Sequence, residues 1–113
     1  MSAQLVCENE ILTVFLSGEI DHHTSKEIRE QTDKVILETH PKEIILNFKD
    51  VSFMDSSGIG LIMGRYKLSS SYGAKITVAD TSMYLKRVMR LAGIDTLVNM
   101  QDQAKKEETK NEG

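Results

Sequence analysis

The sequence has no tryptophan, one proline and one cysteine, and only three tyrosines and three phenylalanines among 113 residues. Without large rings, aliphatic side chains must supply most of the packing. The lone cysteine, Cys7, excludes an internal disulfide. It sits in an apolar stretch and is expected to be a buried, unreactive thiol. No long basic run occurs, so direct nucleic-acid binding has no electrostatic footprint. No apolar run approaches 18 residues and no secretory signal is present. A soluble, reduced, cytoplasmic protein with no membrane partner is the expectation. Full periodic repeats are missing as well. From Gln101 onward Ala104 is the only apolar residue, so residues 101–113 have nothing to bury and are expected to form a disordered polar tail. That leaves residues 1–100 as one domain of ordinary size. The whole chain's 40% apolar content and net charge of -3 suit a single modest core.

Within that domain "QLVCENEILTVFLSGEI" reads as two strands around a short turn at Glu8, Asn9 and Glu10. The second strand is apolar on both faces, with Leu12, Val14 and Leu16 on one and Ile11, Thr13 and Phe15 on the other. It is therefore expected to be covered on both sides or to lie centrally. A helix over about 23–39 follows, with Asp21 as N-cap and Pro41 beyond its end. Its thin apolar stripe is Ile28, Val35 and Ile36, with Thr24 and Thr32. "KEIILNF" (42–48) and "AKITVAD" (74–80) are buried strands. Between them a helix starts near Ser56 and ends near Gly73, with Ile59, Ile62, Met63 and Tyr66 as its inward face. A last helix spans 82–93, capped by Ser82 or Thr81. Leu85, Val88, Met89 and Ala92 form its apolar face, and Gly93 follows at C′. "TLVNM" adds a short edge strand. The order ββαβαβα predicts an α/β fold: a small mixed, largely parallel sheet with helices against it and one antiparallel hairpin.

The stretch "SFMDSSGIGLIMG" admits several chemistries. A nucleophile elbow requires glycine two residues before and after the serine. Ser56 has Met54 and Gly58, Ser57 has Asp55 and Ile59, and neither fits. No Gly-Lys-Ser/Thr triplet exists for a phosphate loop. Gly58, Gly60 and Gly64 give G-x-G-x-x-x-G, one residue longer than the dinucleotide fingerprint. Gly60 and Gly64 also suit a helix that sits unusually close to the sheet or to another chain. His22 and His23 project about 100° apart on a helix, so they cannot clamp one metal ion together. Asp55, Ser56 and Ser57 are good helix-start residues. A cap and a modification site are compatible, because a serine exposed at a helix start is accessible to chemistry.

Taken together, "GEIDHHT" (18–24), "NFKDVSFMDSSGIGLIMGRYK" (47–67) and "LKRVMRLAGI" (85–94) resemble the anti-sigma factor antagonists of the STAS family, most specifically its sporulation, sigma-F type branch. The resemblance covers about residues 3 to 98. It implies a switch and not an enzyme, with no catalytic residues, metal or cofactor. Unmodified, such a protein binds an anti-sigma factor that is also a serine kinase, and sigma is released. The kinase phosphorylates the serine after the motif aspartate, here Ser56, and a phosphatase resets it. The resemblance implies a partner surface of Asp21, His22, His23, Thr24, Asp55, Ser56, Ser57, Gly58, Ile59 and Gly60, on a protein that is monomeric when free. The family's further C-terminal helix has no apolar counterpart after Gln101. A second function class, a nucleotide- or small-molecule-binding STAS regulatory module, stays open.

Overall fold

The structure, a computed structural model, describes residues 2–101. Strands β1 (Ala3–Glu8) and β2 (Ile11–Ile20) form an antiparallel hairpin. Its turn contains no glycine. Asn9 and Glu10 take positive φ angles of 53° and 65°, the mirror-image turn whose twist matches that of the paired strands. The chain continues through α1 (His22–Thr39), β3 (Glu43–Met54), α2 (Ser56–Ser70), β4 (Lys75–Ala79), α3 (Met83–Leu91), a short 3-10 turn at Ile94–Thr96, and β5 (Asn99–Gln101). The sheet order is β1-β2-β3-β4-β5, antiparallel only at β1–β2. This is the mixed α/β architecture that the element order predicts.

Each parallel connection steps the same way across the sheet. Right-handed crossovers therefore bring α1, α2 and α3 to a single face. Burial agrees: Leu12, Val14 and Leu16 of β2, Ile44 and Leu46 of β3, and Ile76 and Val78 of β4 form one continuous core row. Helix residues Ile28, Ile36, Leu61, Ile62, Leu85 and Met89 close over it. β2 lies inside the sheet, between β1 and β3, but two-sided cover is not found. Phe15 is 44% exposed and Ile11 and Thr13 are half-buried, because the crossovers leave the second sheet face without a helix.

Other expectations need correction. Cys7 is exposed. It lies near the end of the edge strand β1, opposite Leu12, and its thiol donates to the Thr39 hydroxyl at the end of α1 at 3.9 Å. β3 continues six residues past Phe48, because the long β2 pairs Ser17–Ile20 with Asp50–Met54 across two register irregularities. Thr24 leaves the apolar stripe of α1 and turns to its cap. Ala92 is exposed. Gln101 belongs to β5, opposite Ala79, so the ordered domain includes it. The tail reading for 102–113 lies outside the described residues.

α2 is rotated from the expected face. Gly58, Leu61, Ile62, Arg65 and Ser69 are innermost, while Ile59, Met63 and Tyr66 are only partly buried. A hydrophobic pattern places arginine outward. Arg65 turns inward, 4% exposed, because Asp33 of α1 meets it. Nη2 donates to Asp33 Oδ2 at 3.2 Å. Nε lies 2.7 Å from Oδ1, a charge contact outside hydrogen-bond angles. Nη1 donates to the Leu61 carbonyl at 3.3 Å. Burial pushes the Arg65 guanidinium below its usual value, and Asp33 opposes that shift.

The two partners differ in exposure: the Asp33 side chain is 30% exposed and that of Arg65 only 5%. Asp33→Ala strands a buried guanidinium and is expected to cost about 3–5 kcal/mol. Arg65→Met leaves a carboxylate that water still reaches and is expected to cost clearly less. Urea denaturation of both variants checks the order.

Candidate functional site

In a parallel sheet the helices begin at the carboxyl ends of the strands, where open α/β sheets place their sites. α1 and α2 follow the neighbouring strands β2 and β3, so their first turns lie side by side. One backbone bond joins the two loops: the Asp55 N–H donates to the Ile20 carbonyl at 3.1 Å.

Each helix is capped by an aspartate. Asp21 Oδ1 accepts the N–H groups of His23 and Thr24, both at 2.9 Å. The Thr24 hydroxyl accepts the Asp21 N–H at 3.0 Å and donates to the Glu19 carbonyl at 2.9 Å. This is a reciprocal capping box with threonine in place of the usual glutamate. The Thr24 N–H is the main reason the Asp21 carboxyl is held below the usual carboxylate range. Partial burial opposes it, and the Thr24 hydroxyl, the His23 N–H and the His23 charge add to it. On α2, Asp55 Oδ1 accepts the Ser57 N–H at 2.8 Å.

Ser56 is the first residue of α2 and is exposed. Among the described residues its hydroxyl makes no hydrogen bond. Ser57 is half-buried and lines a cleft between α1 and α2. His22 and His23 are exposed at the start of α1. Among the described residues no cluster of three His, Cys, Asp or Glu is placed to hold a metal ion. The structure thus brings together Asp21, His22, His23, Thr24, Asp55, Ser56, Ser57 and Gly60 at one end of the molecule. Gly58 points the other way. It is buried, and a Cβ there would collide with Cγ and Sδ of Met54. Ile59 is half-buried and packs against the core. Gly58 is therefore the glycine that permits close approach. At Gly60 and Gly64 nothing lies within 4 Å of the place a Cβ would take, which corrects the expectation that those two bring the helix close to the sheet.

The cleft also contains residues not singled out in the sequence: Ser25, Arg29 and Leu61, beside His22, Ser57 and Gly60. The signal was present as His22, Ser25 and Arg29, spaced three and four apart on one face of α1. An apolar stripe does not reveal a polar wall of this kind.

Comparison with known proteins agrees with the fold. The STAS domain family matches residues 2–107. An anti-sigma F factor antagonist of Paenibacillus polymyxa is 38% identical over 104 residues, spanning 90% of this chain and 89% of that protein. The solved structure of the anti-sigma factor antagonist SpoIIAA in its unphosphorylated form superposes with a TM-score of 0.79 at 32% identity, covering 88% of this chain and 86% of that one. The Bacillus cell fate determinant SpoIIAA in its phosphorylated form gives a TM-score of 0.74 at 29% identity, covering 98% and 99%.

Two outcomes follow from the local geometry. Gly58→Ala is expected to lower the melting temperature, although alanine is favoured over glycine in a helix by about 1 kcal/mol, because the methyl group has no room beside Met54. Gly60→Ala is expected to raise it, and paired thermal melts decide. A depressed carboxyl pKa stabilises the fold above its ordinary value of 3.8. That stabilisation is lost as pH falls through the lowered folded-state value. Asp21→Asn retains an acceptor oxygen but not the charge. Wild type is therefore expected to melt higher than this variant near neutrality, with the difference closing at acid pH.

Proposed function

The chain belongs to the STAS-domain family and, within it, to the anti-sigma factor antagonists; on that premise we propose that it is a switch that phosphorylation of Ser56 turns off. In this reading the unmodified protein docks an anti-sigma factor that is also a serine kinase, and a sporulation-type sigma factor is released in the cytoplasm. The kinase transfers phosphate to Ser56, the complex weakens, and a serine phosphatase restores the binding form. The protein acts by binding and not as an enzyme. The observation that carries this reading is the exposed Ser56 hydroxyl, without a hydrogen bond among the described residues, at the first position of a 15-residue helix, tied through Asp55 to the loop that ends at Asp21.

The chemistry at that position supports a local switch. A phosphoserine adds about -1.5 to -2 charges and three acceptor oxygens. At a helix start the backbone N–H groups and the dipole tolerate that charge, so the fold need not rearrange. Toward a partner the effect is opposite. The new charge joins the Asp55 and Asp21 carboxylates on a surface that must be desolvated for docking. A loss of about 2.7 kcal/mol at one contact weakens binding a hundredfold. Ser57 is a poorer acceptor, because it is half-buried and faces α1. A structural relative known in unphosphorylated and phosphorylated forms is consistent with a fold that carries both states.

Ser56→Ala is expected to fold, to bind the anti-sigma factor and to gain no mass when incubated with that kinase and ATP. Full phosphate incorporation into this variant would move the modification to Ser57. Ser56→Asp is expected to raise the Kd about tenfold or more with an unchanged or slightly higher melting temperature. Calorimetric titration and thermal melts measure the two effects separately.

A further inference from the structure

We propose that the cleft between α1 and α2 seats an acidic side chain of the anti-sigma partner, and that Arg29 is the group that recognises its carboxylate. The proposal rests on the partner-binding reading above and adds the chemistry of one contact.

The cleft has a volume of about 250 Å³. His22, Ser25 and Arg29 of α1 form one wall, and Ser57, Gly60 and Leu61 of α2 the other. Among the described residues no carboxylate lines it. An aspartate four residues further along a helix is within reach of an arginine as an ion-pair partner. Here that aspartate is Asp33, and both of its oxygens are turned to Arg65. Among the described residues, Arg29 is left with no ion pair and no hydrogen bond. Asp33 thus serves Arg65 alone, and the charge of Arg29 adds to the burial that lowers the Arg65 pKa. Glu27 and Glu30 flank Arg29 in the chain but do not line the cleft, and the two cap aspartates are engaged by backbone. Asp21 holds the N–H groups of His23 and Thr24, and Asp55 that of Ser57.

The cleft is equipped to hold an anion in one orientation. The guanidinium presents a planar fork that matches a carboxylate. The Ser57 hydroxyl makes no hydrogen bond among the described residues and can donate a further one. Gly60 leaves the α2 wall free of a side chain, with open space where a Cβ would stand. The docking end is therefore bipolar, with acids at the two caps and a cation between the helices. A partner must offer the reciprocal pattern. Complementarity of this kind sets register and rejects wrong partners more than it adds raw affinity.

The test uses the full 113-residue chain and the purified cognate anti-sigma factor, with affinity measured by calorimetry at two salt concentrations. Arg29→Glu is expected to weaken binding tenfold or more. Arg29→Ala is expected to weaken it several-fold and to flatten its salt dependence, and Arg29→Lys to restore it in part. Melting temperatures of these variants should stay near wild type, because the side chain lies outside the Asp33–Arg65 pair. Gly60→Glu supplies a carboxylate from the opposite wall. It is expected to raise the melting temperature while weakening binding, a combination that general damage to the fold does not produce. If Arg29→Glu and Gly60→Glu both bind within twofold of wild type while Ser56→Asp loses binding, the cleft proposal is wrong and the switch reading stands. If the wild-type chain does not bind the anti-sigma factor, both fall.

Discussion

The interaction on which the working end depends is the paired contact of Arg65 with Asp33. It is the only ion pair among the described residues that joins the two helices carrying the site. Arg65 is nearly buried and its guanidinium is directional, so α1 and α2 are held in one rotational setting. That setting decides which residues of α2 face inward and brings Ser57 and Gly60 opposite His22, Ser25 and Arg29. A pair of apolar residues could fill the same volume with similar or greater stability. An apolar residue at position 65 alone would leave the Asp33 carboxylate free, and Arg29 would then have an intrahelical partner. The buried pair thus shapes the electrostatics of the surface cleft as well as the packing beneath it.

A second constraint comes from the topology. Successive right-handed crossovers start α1 and α2 at the same end of neighbouring strands, and the Asp55–Ile20 backbone bond keeps their loops in contact. Aspartates satisfy the first free N–H groups of both helices. The same carboxylates make that end acidic, so any further negative charge is tolerated by the helix below and opposed by the surface above. A modification there can alter docking while leaving the core untouched. Beneath it, Gly58 lets the first turn of α2 rest directly on Met54, so Ser56 is carried on a rigid support and not on a loose loop.

Local pattern determined much of this protein. Strands rich in β-branched and aliphatic residues, the caps at Asp21, Asp55 and Ser82, and the stop at Gly93 were legible because each depends on neighbours within a few positions. The element order then restricted the topology to a largely parallel sheet with one hairpin. "GEIDHHT" and "FMDSSGIG" pointed to the family and to Ser56. Tertiary structure decided what local pattern cannot contain. It left one face of β2 without helices and extended β3 to match the length of β2. It also exposed Cys7 at the sheet edge, distinguished Gly58 from Gly60 by the position of Met54, and turned Arg65 inward. That last choice depends on a carboxylate 32 residues away in the chain. A charged side chain enters a core only when a partner from another element meets it, and neither residue alone carries that information.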